Sequence, residues 1–488
     1  MLDLLKLKGG AAIDSLLLAF VKVVTTMAGI VCTMVLSRTL TLAEYGTYSQ
    51  GNLVISLVTS MTVLGLTDAS NYFFNRPEYG RRYISNVLFL EAMVGVAAGF
   101  LVIIFGNQIA LYFGNEAVAP LAAFLAFRPL TGNLLGTLQV LIVSLGKSKM
   151  LAARNLSVSV VKVAVVCVVG FVYKSLALIF CAYLVVDVVN VVWFIATYIR
   201  QVGRPELVDL DLRALKTILF FSIPMAVSVL VSTYSREMAK IVLGALATTE
   251  EYAVFANCSA QLPLDFVSAS FMTVLMPIFT RYVGKGDLDS ARSVYTKFLQ
   301  TGYYLVWPFA VCLAVLSPEC VSILYGDNYV TGWPIFTMYL VTYATTFFSS
   351  TIVLTASGKT RIIMMIAVAS LAGNAVLCLG FSLMFGIFGA AAASICVNFV
   401  TALVMLKKSC ECLKGGLRFT VDFSSMTKTL LLLIGLTAPA FLLKVCLGVL
   451  GLHEVPLVAI VAVAYLGCFY LVERNNVVAL LRSINRMK

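Results

Sequence analysis

Apolar stretches long enough to form membrane-spanning helices recur from Ser15 to the end of this 488-residue chain. An α-helix needs about 20 mainly apolar residues to cross the hydrocarbon core of a bilayer, which is roughly 30 Å thick. Hydrophobic residues make up 61% of the chain and charged residues 12%, whereas soluble domains contain about 25% charged residues. Because no soluble fold buries so much apolar surface, the sequence predicts an all-α, multi-pass (polytopic) membrane protein.

Polar, charged or Gly- and Pro-containing breaks divide the chain into fourteen candidate transmembrane helices. Their predicted limits are 15–36, 46–66, 83–105, 117–143, 152–172, 176–198, 216–246, 251–280, 297–317, 333–355, 361–382, 386–406, 427–447 and 456–473. With both termini cytoplasmic, most of the 35 Lys and Arg residues fall in cytoplasmic segments, and the opposite loops hold only Arg38 and Lys174. This is the positive-inside pattern. The net charge of +12 therefore reflects topology, and we predict no nucleic-acid partner.

The two halves of the chain share short matches at nearly constant spacing. The matching pairs are 35–48 with 242–255, at an offset of 207 residues, and 111–114 with 323–326 and 146–149 with 358–361, at an offset of 212. Six predicted helices separate each helix from its equivalent, so both halves have the same orientation in the membrane. We predict two pseudo-symmetric, parallel six-helix lobes, 1–205 and 206–410, followed by two C-terminal helices in 411–488. Lobes of this kind usually enclose a substrate path near the bilayer midplane.

Two short motifs share residues with nucleotide-binding or metal-binding patterns, but neither has the full pattern that such a site requires. The Gly-Lys pairs at 146–147 and 358–359 lack the earlier glycine of a phosphate-binding loop, since that position holds Leu141 in one case and Val353 in the other. Cys410 and Cys412 lie far along the chain from the only histidine, His453. We therefore predict no ATP-driven transport, no metal site and no cofactor.

Polar side chains recur at helical spacing in the four predicted helices that the repeat makes equivalent. These stripes are Lys22, Thr25, Thr26, Gly29 and Thr33; Ser49, Asn52, Ser56 and Thr59; Pro224, Ser228, Ser232, Arg236 and Lys240; and Asn257, Gln261, Asp265 and Ser268. Charged groups within hydrocarbon are costly and rarely face lipid. The stripes therefore predict a water-filled, positively charged cavity between the lobes, which would attract an anion such as phosphate. Alternatively, Arg236 and Lys240 pair with Glu237 and Asp265 and only tie helices together.

The flanking helices carry further charged residues, namely Glu91, Arg128, Lys162 and Asp187. A pair between Lys162 and Asp187 would neutralise both, and nothing in the spacing aims them at a shared cavity. A buried carboxylate freed from such a pair could carry protons. The predicted ion-coupling residues are Asp265, Asp187, Glu91 and Glu237. The predicted substrate-binding residues are Lys22, Arg236, Lys240, Arg128, Asn257, Gln261 and Asn52.

The segment after the first predicted helix resembles a family signature. Residues 37–48 read Ser-Arg-Thr-Leu-Thr-Leu-Ala-Glu-Tyr-Gly-Thr-Tyr, which is similar to the pattern of bacterial polysaccharide transporters, the O-antigen-type flippases of the MOP exporter superfamily. The segments 221–224, 324–329 and 357–360 also resemble that family. The order of these motifs along residues 10–410 carries the resemblance.

The resemblance implies an alternating-access flippase, not an enzyme, in the bacterial inner (plasma) membrane. It would move an undecaprenyl-diphosphate-linked oligosaccharide across that membrane for the biosynthesis of an envelope polysaccharide such as lipopolysaccharide O-antigen, with coupling to an ion gradient. Lys22 and Arg236 would hold the diphosphate, and the helices 427–447 and 456–473 would form a lateral groove for the lipid tail. Its partners would be the lipid-linked substrate, membrane lipids and the polysaccharide polymerase or ligase machinery.

Three other functions compete with this interpretation. A lipid II flippase for peptidoglycan is similar, but we would expect a richer arginine cluster where this chain has Lys22. A cation-coupled multidrug exporter should have an acidic cavity, whereas cations outnumber acids in the stripes. A membrane glycosyltransferase should have a large exposed loop with paired acids, and the loops here are short.

Overall fold

A computed structural model describes residues 10–74, 80–203, 211–260, 262 and 264–485. The regular structure within these ranges is helical, which confirms the all-α fold class. The chain divides into two compact units, Met1–Ala253 and Val254–Lys488. The limits 1–205, 206–410 and 411–488 derived from the repeat stay a prediction.

The first unit consists of ten helices and the start of an eleventh. They are α1 (Gly10–Thr39), α2 (Leu42–Thr62), α3 (Leu66–Phe74), α4 (Gly80–Ile104), α5 (Gly106–Phe113), α6 (Ala122–Leu125), α7 (Arg128–Ser144), α8 (Ser148–Val168), α9 (Leu176–Val202), α10 (Leu212–Leu246) and α11 (Thr249–Cys258). Helix α1 packs on α8, α7 packs on both α4 and α9, and α10 packs on α2, α3 and α4. Helix α7 thus lies at the centre of this unit.

The second unit contains the remaining helices. They are α12 (Asp265–Gly284), α13 (Leu288–Thr301), α14 (Trp307–Val315), α15 (Ser317–Tyr325), α16 (Trp333–Thr345), α17 (Ile352–Ala356), α18 (Thr360–Cys412), α19 (Leu417–Thr420), α20 (Phe423–Val449), α21 (Glu454–Val472) and α22 (Arg474–Asn485). Helix α18 is two helices joined at Gly386, whose φ of 56° is not helical. The predicted break between 361–382 and 386–406 is therefore present.

Nine helices of the described residues are long and apolar enough to cross a membrane, or ten if α2 and α3, bent by 44°, form one span. The helices α20 and α21 agree with the predicted C-terminal spans 427–447 and 456–473. Other predicted spans are broken: 117–143 contains α6 and α7, 251–280 contains α11 and α12, and 333–355 contains α16 and α17. The total of fourteen spans and the cytoplasmic position of both termini stay predictions.

The sequence repeat corresponds to shared helix starts and turns. At the start of α2, the Thr41 hydroxyl accepts from the Glu44 N–H while the Glu44 carboxylate accepts from the Thr41 N–H. Thr248 and Glu251 make the same two bonds before α11. Such a capping box satisfies N–H groups that a helix start leaves unpaired. The matched Gly-Lys pairs lie in turns between helices, where Gly146 and Gly358 have φ values of 72° and 69°.

Small residues let α4 lie against the start of α7 and the end of α6. A Cβ atom on Gly95 would lie 2.7 Å from the Leu130 Cα, and one on Gly99 would lie 2.4 Å from the Ala126 carbonyl oxygen. Helices in a bilayer associate largely through such close packing, because lipid tails are as apolar as the side chains. Gly95 and Gly99 therefore fix the distance between α4 and its neighbours.

We predict that Gly99→Ala lowers the free energy of unfolding by about 1–3 kcal/mol, because its methyl group would collide with backbone. Thermal unfolding of the purified protein in detergent measures this. Gly435→Ala in α20 is the matched control, because no atom lies within 4 Å of the added Cβ. Equal unfolding temperatures for the two variants would contradict the packing argument.

Candidate functional site

Two cations share one carboxylate inside the first unit. Asp187 of α9 places Oδ1 3.0 Å from Lys162 Nζ of α8. Its Oδ2 contacts the guanidinium of Arg128, at the start of α7. The Asp187 side chain is only 7% exposed, while those of Arg128 and Lys162 are 26% and 32% exposed. The predicted pair of Lys162 with Asp187 is therefore present, and Arg128 adds a positive charge in excess.

Local sequence explains how Arg128 reaches this position. Pro129 stands in the first turn of α7, where its fixed φ favours a helix start and its missing N–H costs nothing. Helix α7 thus begins at Arg128, after the short helix α6. The long side chain extends from this end of the helix to Asp187.

Arg128 and Lys162 line a cavity of about 250 Å³. Its other lining residues are mostly small or polar and come from α1, α2, α8 and α9: Thr25, Ala28, Gly29, Cys32, Thr33, Tyr48, Asn52, Ser159 and Tyr183. Tyr48 and Tyr183 bring two phenol groups to this cavity, and Asn52 brings an amide. This cavity therefore combines two cations with several hydroxyl groups.

The same two cations line a second cavity of about 450 Å³. Its remaining residues come from α2 and the residue after it, and from α7, α9 and α10: Ile55, Ser56, Thr59, Ser60, Val63, Gly132, Leu135, Asp187, Val229 and Thr233. Arg128 and Lys162 thus stand between two cavities of the first unit. An anion that enters either cavity meets the same positive charges.

The predicted stripes of α1 and α2 follow these cavities closely. Thr25, Gly29 and Thr33 line the smaller cavity together with Asn52, and the same stripe of α2 continues into the larger cavity at Ser56 and Thr59. Lys22 lies one helical turn before Thr25 on α1, where it is exposed and outside both linings.

The predicted stripe of α10 lies outside both linings, because α10 presents Val229 and Thr233 to the larger cavity instead. Arg236 is 56% exposed, and its Nε lies 3.7 Å from a Glu237 carboxylate oxygen. Lys240 Nζ lies 3.0 Å from the other oxygen of Glu237. Glu237 therefore provides the pairing that the alternative interpretation of Arg236 and Lys240 required, and the substrate role of these cations stays a prediction.

The remaining predicted residues are not brought to these cavities by the described structure. Asn257 is buried in the second unit. Gln261 lies outside the described residues, and so does the side chain of Asp265. Glu91 is buried within the first unit, away from both linings.

The structure places Lys162 and Asp187 beside a shared cavity, which their spacing in the sequence did not indicate. Lys162 lines both cavities and Asp187 lines the larger one. Sequence reasoning also missed Tyr48 and Tyr183. Tyr48 lies one turn before Asn52 and so extends the stripe of α2, but nothing in the sequence indicates the position of Tyr183.

The fold is that of the membrane transporters of the MOP superfamily. A structure titled "Lipid II flippase MurJ, inward closed conformation" superposes with a TM-score of 0.71 at 14% identity, covering 93% of this chain and 100% of that one. An inward-facing multidrug resistance MATE family transporter of the MOP superfamily has a TM-score of 0.65 at 14% identity, covering 81% and 98%. A MOP superfamily transporter from Pyrococcus furiosus has a TM-score of 0.57 at 12% identity, covering 82% and 94%.

The chain belongs to the polysaccharide biosynthesis protein family, which matches residues 35–334. This agrees with the family resemblance seen in the sequence motifs. A search of curated proteins gave no significant match.

We predict that Asp187→Asn destabilises the protein by about 2–3 kcal/mol, because it leaves Arg128 and Lys162 adjacent without their anion. The expected loss of stability is smaller than for a fully buried ion pair, because the side chains of both cations are partly exposed. Thermal unfolding in detergent measures it. Adding Lys162→Met should recover part of the loss.

The matched control for Asp187→Asn is Glu411→Gln, which breaks an exposed pair whose Lys408 Nζ lies 2.8 Å from the carboxylate. Exposed pairs contribute about 0–1 kcal/mol. If both substitutions change the unfolding temperature equally, the carboxylate of Asp187 does not hold the cluster together.

Proposed function

We propose that this protein is a flippase for a lipid-linked oligosaccharide, the undecaprenyl-diphosphate-linked repeat unit of an envelope polysaccharide. It would move this lipid across the bacterial inner membrane by alternating access, without chemical change to it. The observation that carries the proposal is the position of Arg128 and Lys162 between two cavities of a chain from the polysaccharide biosynthesis family.

The charge of the cluster suits a diphosphate. A guanidinium matches phosphate oxygens with two parallel N–H donors, and an ammonium acts as a mobile point charge. Both interactions are stronger in a low-dielectric cavity than in water. Asp187 neutralises part of this charge when the substrate is absent, so the cations need not face an empty cavity unpaired. A diphosphate would then compete with Asp187 for Arg128 and Lys162.

The size and lining of the smaller cavity favour the head of the lipid over its whole oligosaccharide. A volume of about 250 Å³ is below the roughly 300–1,000 Å³ of sites that enclose a drug-sized ligand. The hydroxyls of Thr25, Thr33 and Ser159 and the amide of Asn52 surround it. These groups can bind phosphate oxygens or the first sugar.

The other predicted elements of the function complete the proposal. Lys22, Arg236 and Lys240 are accessible cations that would attract the diphosphate on its way to the cluster, and an ion gradient would drive the cycle. The polysaccharide polymerase or ligase machinery would consume the product.

Lipid II is the alternative substrate, because the MurJ structure bears that title. A positive site disfavours cationic drugs, the substrates we would expect of a cation-coupled exporter.

The proposal predicts that the variant Arg128→Gln, Lys162→Gln, Asp187→Asn loses flipping by about tenfold or more, the effect of about 1.4 kcal/mol of lost binding. This variant removes the cations without leaving an unpaired acid. Proteoliposomes containing a fluorescent undecaprenyl-diphosphate oligosaccharide measure flipping, through the access of a membrane-impermeant quencher to the lipid. Lys408→Gln, at an exposed cation, is the control and should flip normally.

Two further arms separate the alternatives. Lys22→Ala and Arg236→Ala should slow flipping less than the triple variant if those residues only attract the diphosphate. A protein that moves fluorescent lipid II faster than the oligosaccharide lipid would establish the alternative substrate. Normal flipping by the triple variant would remove the cluster from the substrate path.

A further inference from the structure

A second acid of the first unit is buried and makes no ion pair with the residues that the structure describes. Glu91 of α4 is fully buried (0% exposed). It lies one turn before Gly95 and two turns before Gly99, the residues that bring α4 against α6 and α7. The close approach of the helices therefore carries Glu91 into the interface and away from lipid and water.

The contacts of Glu91 do not suit an ionised carboxylate. Its Oε1 is hydrogen-bonded to the Thr137 hydroxyl of α7, and among the described residues its Oε2 has no hydrogen-bond partner. An ionised carboxylate can accept about four hydrogen bonds, and burying one with a single neutral partner costs several kcal/mol. A buried acid in this environment takes up a proton instead.

Charged residues of the surrounding helices do not supply the missing cation. Those of α2, α3, α7 and α10 are Glu44, Asp68, Arg128, Arg213, Lys216, Arg236, Glu237 and Lys240. The described parts of α5 and α6 carry none, and the side chains of Arg81 and Arg82 on α4 itself lie outside the described residues.

A row of two hydroxyl groups leads from Glu91 through Thr137 of α7 to Thr67 of α3. The Thr137 hydroxyl oxygen lies 3.4 Å from that of Thr67. One turn earlier on α7, Asn133 accepts a hydrogen bond of 3.3 Å from Thr62, and the adjacent Gly132 lines the larger cavity. A hydroxyl can both donate and accept, so the row from Thr67 through Thr137 to Glu91 can reverse direction when a proton arrives or leaves.

We propose that Glu91 is a proton-binding site whose occupancy controls the packing of α4 against α7, and that this site couples the proton gradient to transport. The proton leaves a hydronium ion of the cavity, which becomes water, and forms an O–H bond on the Glu91 carboxylate. The neutral acid fits the dry interface, whereas the anion favours a state in which water reaches it. Asp187 has a different environment, because it contacts the two cations Arg128 and Lys162. The coupling role rests on the proposed flippase function, but proton binding does not.

Infrared difference spectra of the reconstituted protein test proton binding without any transport. At neutral pH, the wild-type protein should show the carbonyl band of a buried, protonated carboxyl, and Glu91→Gln should lack it. Thr137→Val should shift this band, because its hydrogen-bond partner is lost. The exposed acid Glu116 gives the matched control, since Glu116→Gln should leave the band unchanged. A band that survives in Glu91→Gln would overturn the proposal.

Flipping assays with imposed pH gradients test the coupling. The wild-type rate should change severalfold with the gradient, while Glu91→Gln should flip at one rate at all gradients because its side chain is permanently neutral. A gradient dependence retained by Glu91→Gln would overturn the coupling role. If the wild-type protein moves no lipid, the flippase proposal fails, and the infrared band still decides whether Glu91 binds a proton.

Discussion

The shared carboxylate of Asp187 holds together three helices that carry charges into the membrane. A charge in hydrocarbon is stable only when a neighbour compensates it, and Asp187 compensates both Lys162 of α8 and Arg128 of α7. The two cavities meet at this point. The lining residues of α1 and α2 lie around this charged cluster. The proposed affinity for anions therefore depends on the contacts of Asp187.

The two buried acids of this unit show how environment sets the task of a carboxyl group. Asp187 lies between two cations and beside a cavity, and its negative charge compensates their positive charges. Glu91 lies between closely packed helices with one hydroxyl as partner. In our proposals, the same chemical group acts as a fixed anion in one place and as an exchangeable acid in the other. This division would let one helical unit bind an anionic cargo and respond to protons through separate residues.

The sequence predicted the architecture more completely than the site. Apolar length located α1, α4, α8, α9, α10, α20 and α21, since crossing a bilayer imposes a length. It did not reveal the breaks between α6 and α7 or between α11 and α12, because an isolated proline or polar residue also occurs inside long helices, as Pro224 does in α10. Helical spacing identified the cavity residues Thr25, Gly29 and Asn52. Helical spacing could not predict the contact between Arg128 and Asp187. A stripe of polar residues identifies one face of a helix, but it does not identify the neighbouring helix against which that face packs.

The capping boxes before α2 and α11 bear on the history of the chain. The bonds made by Thr41 with Glu44 recur in Thr248 with Glu251, although the stripes on the following helices differ in charge and composition. Descent from a duplicated ancestral gene would leave such a pattern if selection preserved the signals that begin helices and relaxed on the polar stripes. The predicted halves would then have been free to specialise, with the cluster of Arg128, Lys162 and Asp187 arising in the first.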